Sequence, residues 1–534
     1  MTSKILPYLL ERAAEDRPDD IVFRSVEQGD LTYSGLHAAH LRWAAALDGL
    51  GVRRGDTVAS LMPIGFEAYH CWMGAAWLSA IEVPINTAWR NTWLHHGLAL
   101  SGARVLVCAQ RYLPQIAQVA QGLTALETIV VYDADDPSEL DVGLPTRIIS
   151  GPAFFAAASA TPRLSRPADD DLMAIIFTSG TTGQSKGVMC PWAQWSHADG
   201  KPGVFRFVVE LGCPFIYYAP FVPYHLTGKG ALIAAAQLNG QVVMREKFRT
   251  DVFWDDIRNY GCTSTLIVGA MGNFLMKQPP SADDGINPLR GVLMAPILPD
   301  VDTFKKRFNV EVCTIYGMTE IGHAFMSDGF AVDRTNWASC GHVNEGFEVR
   351  LVDATGRDVA VGETGELLVR VKPPRRLNRG YWRMSEATAQ VWRDGWFVTG
   401  DAFRRDEVGN YYFVDRIKDA IRRRGENISS FEIEEAVNEH PDVLESAAVA
   451  AAGEFLEDEV KVFIVPCPGK SLEPTDLITF LIPRLARYAI PRFIEIVDAL
   501  PKTPTQRIRK AELRKLGNSD RTWDRELAGV ELPK

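Results

Sequence analysis

Ten residues from Thr178 to Gly187 read TSGTTGQSKG. The hydroxyls of Thr178, Ser179, Thr181 and Thr182 offer hydrogen-bond donors, Gly180 and Gly183 let backbone come close to an anion, and Lys186 adds a mobile positive charge. That inventory suits phosphate, and a triphosphate tail in particular. The spacing is not that of the P-loop, G-x-x-x-x-G-K-[ST]: Gly180 and Gly183 stand too close together, and Gly187 follows Lys186 where a hydroxyl residue is required. The competing reading is a solvated Ser/Thr/Gly surface loop, against which the lysine and the flanking pattern both argue.

Such a loop needs an anchor, and its flanks supply one. Upstream, DLMAIIF with β-branched Ile175 and Ile176 predicts a buried strand; downstream, Val188 and Met189 resume apolar character. From residue 1 to about 370, candidate helices alternate with short apolar strands: VASLMP, FEAYHCWMGAAWLSA, IEVPIN and ARVLVCA, then QVVMR, TDVFWDDIRNYG and TSTLIVG, then RGVLMA, PDVDTFKKRF and VEVCTIYG. The alternation predicts an α/β fold with largely parallel sheets, whose ligands gather beyond the carboxyl ends of the strands. From about residue 340, GFEVRLVD, TGELLVRV and NYYFVD alternate between Gly-containing turns and predict a small β subdomain. After Asp415, the order SFEIEEAVNEH, SAAVAA, KVFIVP, LITFLIPRLARY and FIEIVD predicts a compact α+β unit. We place the boundary at Lys418, giving domains 1–417 and 418–534.

At 534 residues the chain is too long for one ordinary core. A hydrophobic fraction of 46% and a charged fraction of 23% are those of a globular enzyme. The net charge of -10 disfavours a general affinity for nucleic acid or anionic membrane, so an anionic ligand must be held locally. The eight cysteines form no Cys-x-x-Cys pair and no zinc spacing with histidine. The N-terminus MTSKILPYLLERAAEDRPDD lacks a signal-peptide apolar core, and no run of about 18 apolar residues occurs, so a cytoplasmic protein is expected.

Four stretches together carry a family resemblance. TSGTTGQSKG, YGMTE at 316 to 320, GWFVTGD at 395 to 401 and DRIKDAIRRRGENIS at 415 to 429 resemble, in order and approximate spacing, the motifs of the acyl-adenylating superfamily. That superfamily includes acyl-CoA synthetases, nonribosomal-peptide adenylation domains and firefly-type luciferases. The resemblance covers essentially the whole chain. It implies that residues 178 to 183 and Lys186 hold the phosphates of ATP, that Tyr316 stacks on adenine within Tyr316, Gly317 and Met318, and that Thr319 meets phosphate. Glu320 would help to hold Mg²⁺; an aromatic face suits a purine and a carboxylate suits magnesium. Ala295 and Pro296 would border adenine, although Leu293 and Met294 replace the family's paired glycines. Asp401 would accept hydrogen bonds from the ribose hydroxyls, and Arg416 would add a ribose or phosphate contact. His225, in FVPYHLTG, falls at the acyl pocket, with a satisfied structural histidine as its alternative. Lys418 would be the hinge of a mobile C-terminal domain. Gly425 and Glu426 would flank the pantetheine arm of coenzyme A, and Arg422, Arg423 and Arg424 are either phosphate contacts or a solvated face.

The implied reaction has two steps: a substrate carboxylate attacks the α-phosphorus of ATP and releases pyrophosphate, then a thiol, that of coenzyme A, displaces AMP. The family's C-terminal catalytic lysine sits in Pro-x-Thr-x-x-Gly-Lys; here PKTPTQR places Gln506 at the glycine and Arg507 at the lysine, with Lys502 and Lys510 as less well aligned substitutes. Arg507 can bridge carboxylate and phosphate oxygens, though its planar fork reaches differently. TWDRE at 522 to 526 and TPTQRIRK are most similar to the crotonobetaine/carnitine-CoA ligase-like branch. Three functions stay open: a CoA ligase, an adenylate-forming enzyme serving a carrier protein or other acceptor, and a non-catalytic nucleotide-binding homologue. Self-association as a homodimer is also left open.

Overall fold

A computed structural model describes residues 4–136, 142–144, 146–178, 185–195, 212–372, 376–417, 419, 421–423, 426–452, 458–503 and 506–532, with the backbone alone at 269, 270, 422, 423, 426 and 427. Two seven-stranded sheets dominate its first part. One runs in the order Arg147–Ser150, Thr128–Val131, Val105–Cys108, Thr57–Leu61, Ile81–Pro84, Leu172–Thr178, Lys186–Pro191. Only its last pair is antiparallel. The strands Thr57–Leu61, Ile81–Pro84 and Val105–Cys108 are buried at every residue, which is why their sequences read as apolar runs without alternation.

The second sheet repeats this plan. Its order is Glu311–Cys313, Gly291–Ala295, Ser264–Val268, Ile216–Ala219, Gln241–Met244, Ile21–Ser25, Gly29–Thr32, again parallel up to one antiparallel edge strand. Helices Phe66–Ala76 and Leu226–Leu238 share one core with residues of both sheets, including Phe23, Tyr69, Trp72, Ile176, Tyr217 and Leu232. Inside that core a charged pair is fully sequestered: Lys229 is ion-paired to Glu82, with the side chains 1% and 2% exposed. Ser60 donates to the other Glu82 oxygen at 2.7 Å, and the Lys229 ammonium lies 4.0 Å from the Trp72 ring. Burial pulls the Lys229 pKa down and Glu82 opposes it.

The β subdomain begins earlier than the sequence pattern predicts. VEVCTIYG is not one strand: Glu311–Cys313 closes the second sheet, and Ile315–Met318 opens an eight-stranded antiparallel sheet. The chain leaves one sheet for the other at buried Thr314, whose N–H donates to the Ser327 hydroxyl at 3.0 Å. YGMTE therefore lies on the rim of this third sheet, which continues through Gly322–Met326, Ser339–Val343, Tyr411–Arg416, Trp396–Arg405, Thr364–Val371 and Phe347–Val352, with the short eighth strand Trp392–Arg393 paired to Trp396–Arg405.

The C-terminal unit is a four-stranded sheet of Val443–Ala452, Asp458–Pro466, Phe493–Ile496 and Trp523–Asp524, beside helices Ser430–Asn438, Pro474–Leu481 and Lys510–Leu516. The helix expected over LITFLIPRLARY stops at Leu481, just before Pro483 denies the next turn a backbone donor. The helix Ser430–Asn438 is tied to the third sheet. Its Ser430 N–H and hydroxyl both donate to Asp415, at 2.7 and 2.8 Å, and its Ser429 hydroxyl donates to the Val414 carbonyl at 2.7 Å. Among the described residues, no helix is long and apolar enough to cross a membrane.

Candidate active site

The hydroxyl- and glycine-rich loop joins two paired strands. Thr178 and Lys186 face each other as the last register pair of Leu172–Thr178 and Lys186–Pro191, which run antiparallel. Ser179, Gly180, Thr181, Thr182 and Gly183 lie outside the described residues. The lysine strand is clamped on its other side by residues 378–382. Met189 N–H donates to the Gly380 carbonyl at 3.0 Å, Arg379 N–H to the Met189 carbonyl at 2.9 Å, and Trp382 N–H to the Gly187 carbonyl at 2.8 Å.

That clamp delivers Tyr381 to the site. The Lys186 ammonium stands 4.8 Å from the centre of the Tyr381 ring, and the Tyr381 hydroxyl donates to Glu320 Oε1 at 3.1 Å. Glu320 is 5% exposed, and burial pushes its pKa above the usual carboxylate range against the pull of Tyr381. Asn378 Nδ2 holds the Glu320 carbonyl at 2.6 Å, and Gln194 Nε2 holds the Thr319 carbonyl at 2.8 Å. Gln194, Asn378 and Tyr381 belong to no spacing pattern. Gln194 ends a short 3-10 helix, Asn378 lies in irregular backbone and Tyr381 forms a lone bridge with Val188, and only the folded chain shows what they touch.

On the far side of YGMTE, Tyr316 donates to Asp401 Oδ2 at 2.5 Å, and its ring packs edge-on against Phe403 at 4.7 Å. Asp401 and Arg416 are register partners on Trp396–Arg405 and Tyr411–Arg416, with Arg416 Nε 3.3 Å from Asp401 Oδ1. Gly400, at φ +74, supplies the left-handed step that turns the strand just before Asp401. Asp401 is 3% exposed, and its Oδ1 receives no hydrogen bond among the described residues. Burial raises its pKa, while Arg416 and Tyr316 lower it.

Ala295 ends the strand Gly291–Ala295 and is joined to Pro296 by a cis peptide, at the carboxyl edge of the second sheet. His225 precedes the helix Leu226–Leu238. Its Nε2 is buried with no hydrogen-bond partner among the described residues. Burial, and then the charge of Arg507, pushes its pKa down to about 4, so it is neutral at pH 7.

Arg507 comes from the C-terminal unit, yet its charge acts on Asp401, Glu320 and His225. Desolvation first, and Arg416 second, lower its pKa, while Asp401, Tyr316 and Glu320 raise it. Water still reaches it, since it is exposed by surface area, so these attractions are screened. Its N–H donates to the Thr503 hydroxyl at 3.0 Å, and the preceding Gln506 holds φ +62. The substitutes are committed elsewhere. Lys502 is ion-paired to Glu445, and Lys510 to Glu434 at 2.9 Å with a further bond to Ser430 at 2.6 Å. Lys418 and Gly425 lie outside the described residues, as do Arg424 and the side chains of Glu426, Arg422 and Arg423.

Two largely parallel α/β sheets, an antiparallel third and a C-terminal α+β unit, with a lysine hairpin facing an acid-bearing sheet rim, define an architecture with known counterparts. Residues 10–382 match the AMP-binding enzyme family and residues 432–507 its C-terminal domain, and the chain belongs to that family. It is 30% identical over 504 residues to the crotonobetaine/carnitine–CoA ligase of Salmonella paratyphi A, covering 92% of this chain and 95% of that protein. The fold is similar to that of the anthranilate CoA ligase AuaEII in complex with anthranoyl-AMP, with a TM-score of 0.84, 24% identity, and 99% and 98% of the two chains covered. It is also similar to o-succinylbenzoate CoA synthetase from Bacillus subtilis, with a TM-score of 0.79, 21% identity, and 96% and 99% covered.

Proposed function

We propose that the chain is an ATP-dependent carboxylic acid–CoA ligase that works through an acyl adenylate. The observation that carries this reading is the arrangement around YGMTE: Lys186 and Glu320 meet on Tyr381 at one end, and Tyr316, Asp401 and Arg416 form a node at the other. Asp401 Oδ1, ion-paired to Arg416 but accepting no hydrogen bond among the described residues, has the character of an acceptor for ribose hydroxyls. Lys186 answers phosphate charge, and Tyr316, Gly317 and Met318 with Ala295 and Pro296 form the adenine side.

Magnesium fits the same reading. Among the described residues no three His, Cys, Asp or Glu side chains gather as a metal cluster. A magnesium ion shared with phosphate oxygens needs only one or two protein carboxylates, and buried Glu320 is the one on offer; the ion would neutralise phosphate charge.

In the first step the substrate carboxylate, already ionised at neutral pH, attacks the α-phosphorus, and the bond to the departing pyrophosphate breaks. No general base is required. Lys186, the Thr319 region and Arg507 hold charge and align the reactants. His225, neutral, shapes the acyl end without adding a second charge to it. In the second step the coenzyme A thiol, giving up its proton, attacks the acyl carbonyl and AMP leaves. Gly425 and Glu426 would border the pantetheine arm, and rotation at Lys418, between domains 1–417 and 418–534, would withdraw Arg507 between the steps.

The test is pyrophosphate release over a panel of acids including carnitine, crotonobetaine, benzoate and anthranilate, with and without coenzyme A, followed by mass detection of the thioester. Pyrophosphate and thioester together are expected for at least one acid. Release without thioester would replace coenzyme A by another acceptor, and no release across the panel would overturn the ligase reading.

A further inference from the structure

Arg507 can act on the site only if the C-terminal unit is held in one orientation, and the structure shows what holds it. Helix Gly269–Met276 follows the strand Ser264–Val268 of the second sheet and packs against strand Val443–Ala452 of the C-terminal sheet. Just beyond that helix, Lys277 donates through its ammonium to the carbonyl of Val443. On the helix itself, half-buried Phe274 presents its ring to Lys502, whose ammonium lies 5.4 Å from the ring centre. The same Lys502 is ion-paired to Glu445 of the C-terminal sheet, with the two side chains 18% and 13% exposed.

Lys502 also belongs to the segment that carries Arg507. Lys502 and Ile508 form an antiparallel bridge, and Thr503 N–H donates to the Arg507 carbonyl at 2.7 Å. A cation held over an aromatic face and an ion pair at one end of this short bridged segment fix where its other end points.

We propose that Phe274 and Lys277 are positioning residues: a dock on the large domain that sets Arg507 in register with the adenylation site through Lys502 and Val443. Neither touches substrate. The proposal rests on Arg507 acting in the first half-reaction. A register error of about 1 Å at a charge donor is enough to cost on the order of a hundred-fold, so loss of one anchor should cost about ten-fold.

The experiment measures the half-reactions separately in the full chain: pyrophosphate release from ATP and the acid, and thioester formation from synthetic acyl adenylate and coenzyme A. Phe274→Ala and Lys277→Ala should each slow the first about ten-fold and leave the second within about two-fold. Phe274→Tyr, which keeps the ring, should restore the rate. In an Arg507→Ala background, Phe274→Ala should add almost nothing, because it acts through the side chain already removed. Unchanged pyrophosphate release, an equal fall in both half-reactions, or additive effects in the double variant would each overturn the dock. If Arg507→Ala slows adenylation and Phe274→Ala does not, the dock alone fails. If Arg507→Ala itself adenylates normally, the role of Arg507 fails and the dock falls with it.

Discussion

The resemblance sets Arg507 against the family's lysine and Gln506 against its glycine. The backbone explains the glycine: Gln506 sits at φ +62, where a Cβ is disfavoured. Gln506→Gly should remove roughly 1 kcal/mol of local strain and give part of it back as unfolded-chain entropy, for a net gain of a few tenths of a kcal/mol. Denaturation of the C-terminal unit, followed through Trp523, checks this; a loss of stability would show that the turn is not strained. Arg507→Ala should slow pyrophosphate release by about two or three powers of ten, as when a preorganised charge donor is removed, while synthetic acyl adenylate still yields thioester. Arg507→Lys should recover part of the rate. Equal loss in both half-reactions would make Arg507 structural.

Among the elements, helix Leu226–Leu238 carries the most consequence per residue. It begins at His225, and one turn in it buries Lys229 against Glu82 of the first sheet. Replacing one partner leaves the other charged and sequestered, so Glu82→Gln should destabilise the fold by about 3–5 kcal/mol. Equilibrium denaturation measures it, and a loss under 1 kcal/mol would mean that the lysine finds another partner or sheds its proton.

Strands such as Thr57–Leu61, Val105–Cys108, Leu172–Thr178 and Ser264–Val268 were legible in the sequence because each is a short apolar run bounded by turns, whereas Ile21–Ser25, Gly29–Thr32, Thr128–Val131, Arg147–Ser150 and Ile216–Ala219 were not picked out. The break at Thr314 was not legible. Nothing in VEVCTIYG marks a change of sheet; the Ser327 hydroxyl that receives Thr314 lies thirteen residues on. Tyr381 and Gln194 escaped for the same reason, since their roles consist of contacts with Glu320 and Thr319 that sequence distance hides.

For the molecule as a whole, several histidines are folded into places that refuse a proton. His40 is fully buried with neither ring nitrogen partnered among the described residues, 5.5 Å from the ring of His70. Burial, with His70 and His37 adding to it, takes the His40 pKa well below the usual value, and burial takes that of His70 to about 4. The unfolded chain then binds more protons than the native one between pH 6.5 and about 4, so these groups contribute full stability above pH 6.5 and lose it as the pH falls. For His70 the loss is on the order of 3 kcal/mol. His70→Phe should flatten the stability slope across that window, whatever its effect at pH 7. An unchanged slope would mean that His70 takes up its proton without opening the core.

The lysine strand Lys186–Pro191 is stitched on both edges, to Leu172–Thr178 by a ladder and to residues 378–382 by backbone bonds from Met189, Arg379 and Trp382. In deuterated solvent those three amide protons can be released only when the first sheet and the 378–382 segment part, which also carries Lys186 away from Tyr381 and from the Glu320 that Tyr381 and Asn378 hold. They should exchange together, at one rate, and nucleotide binding should slow all three by the same factor. Exchange of the Met189 amide ahead of the other two would show that the seam opens from one side. Isotope uptake at these positions thus reports, without any chemical turnover, how often Lys186 and Glu320 are momentarily parted.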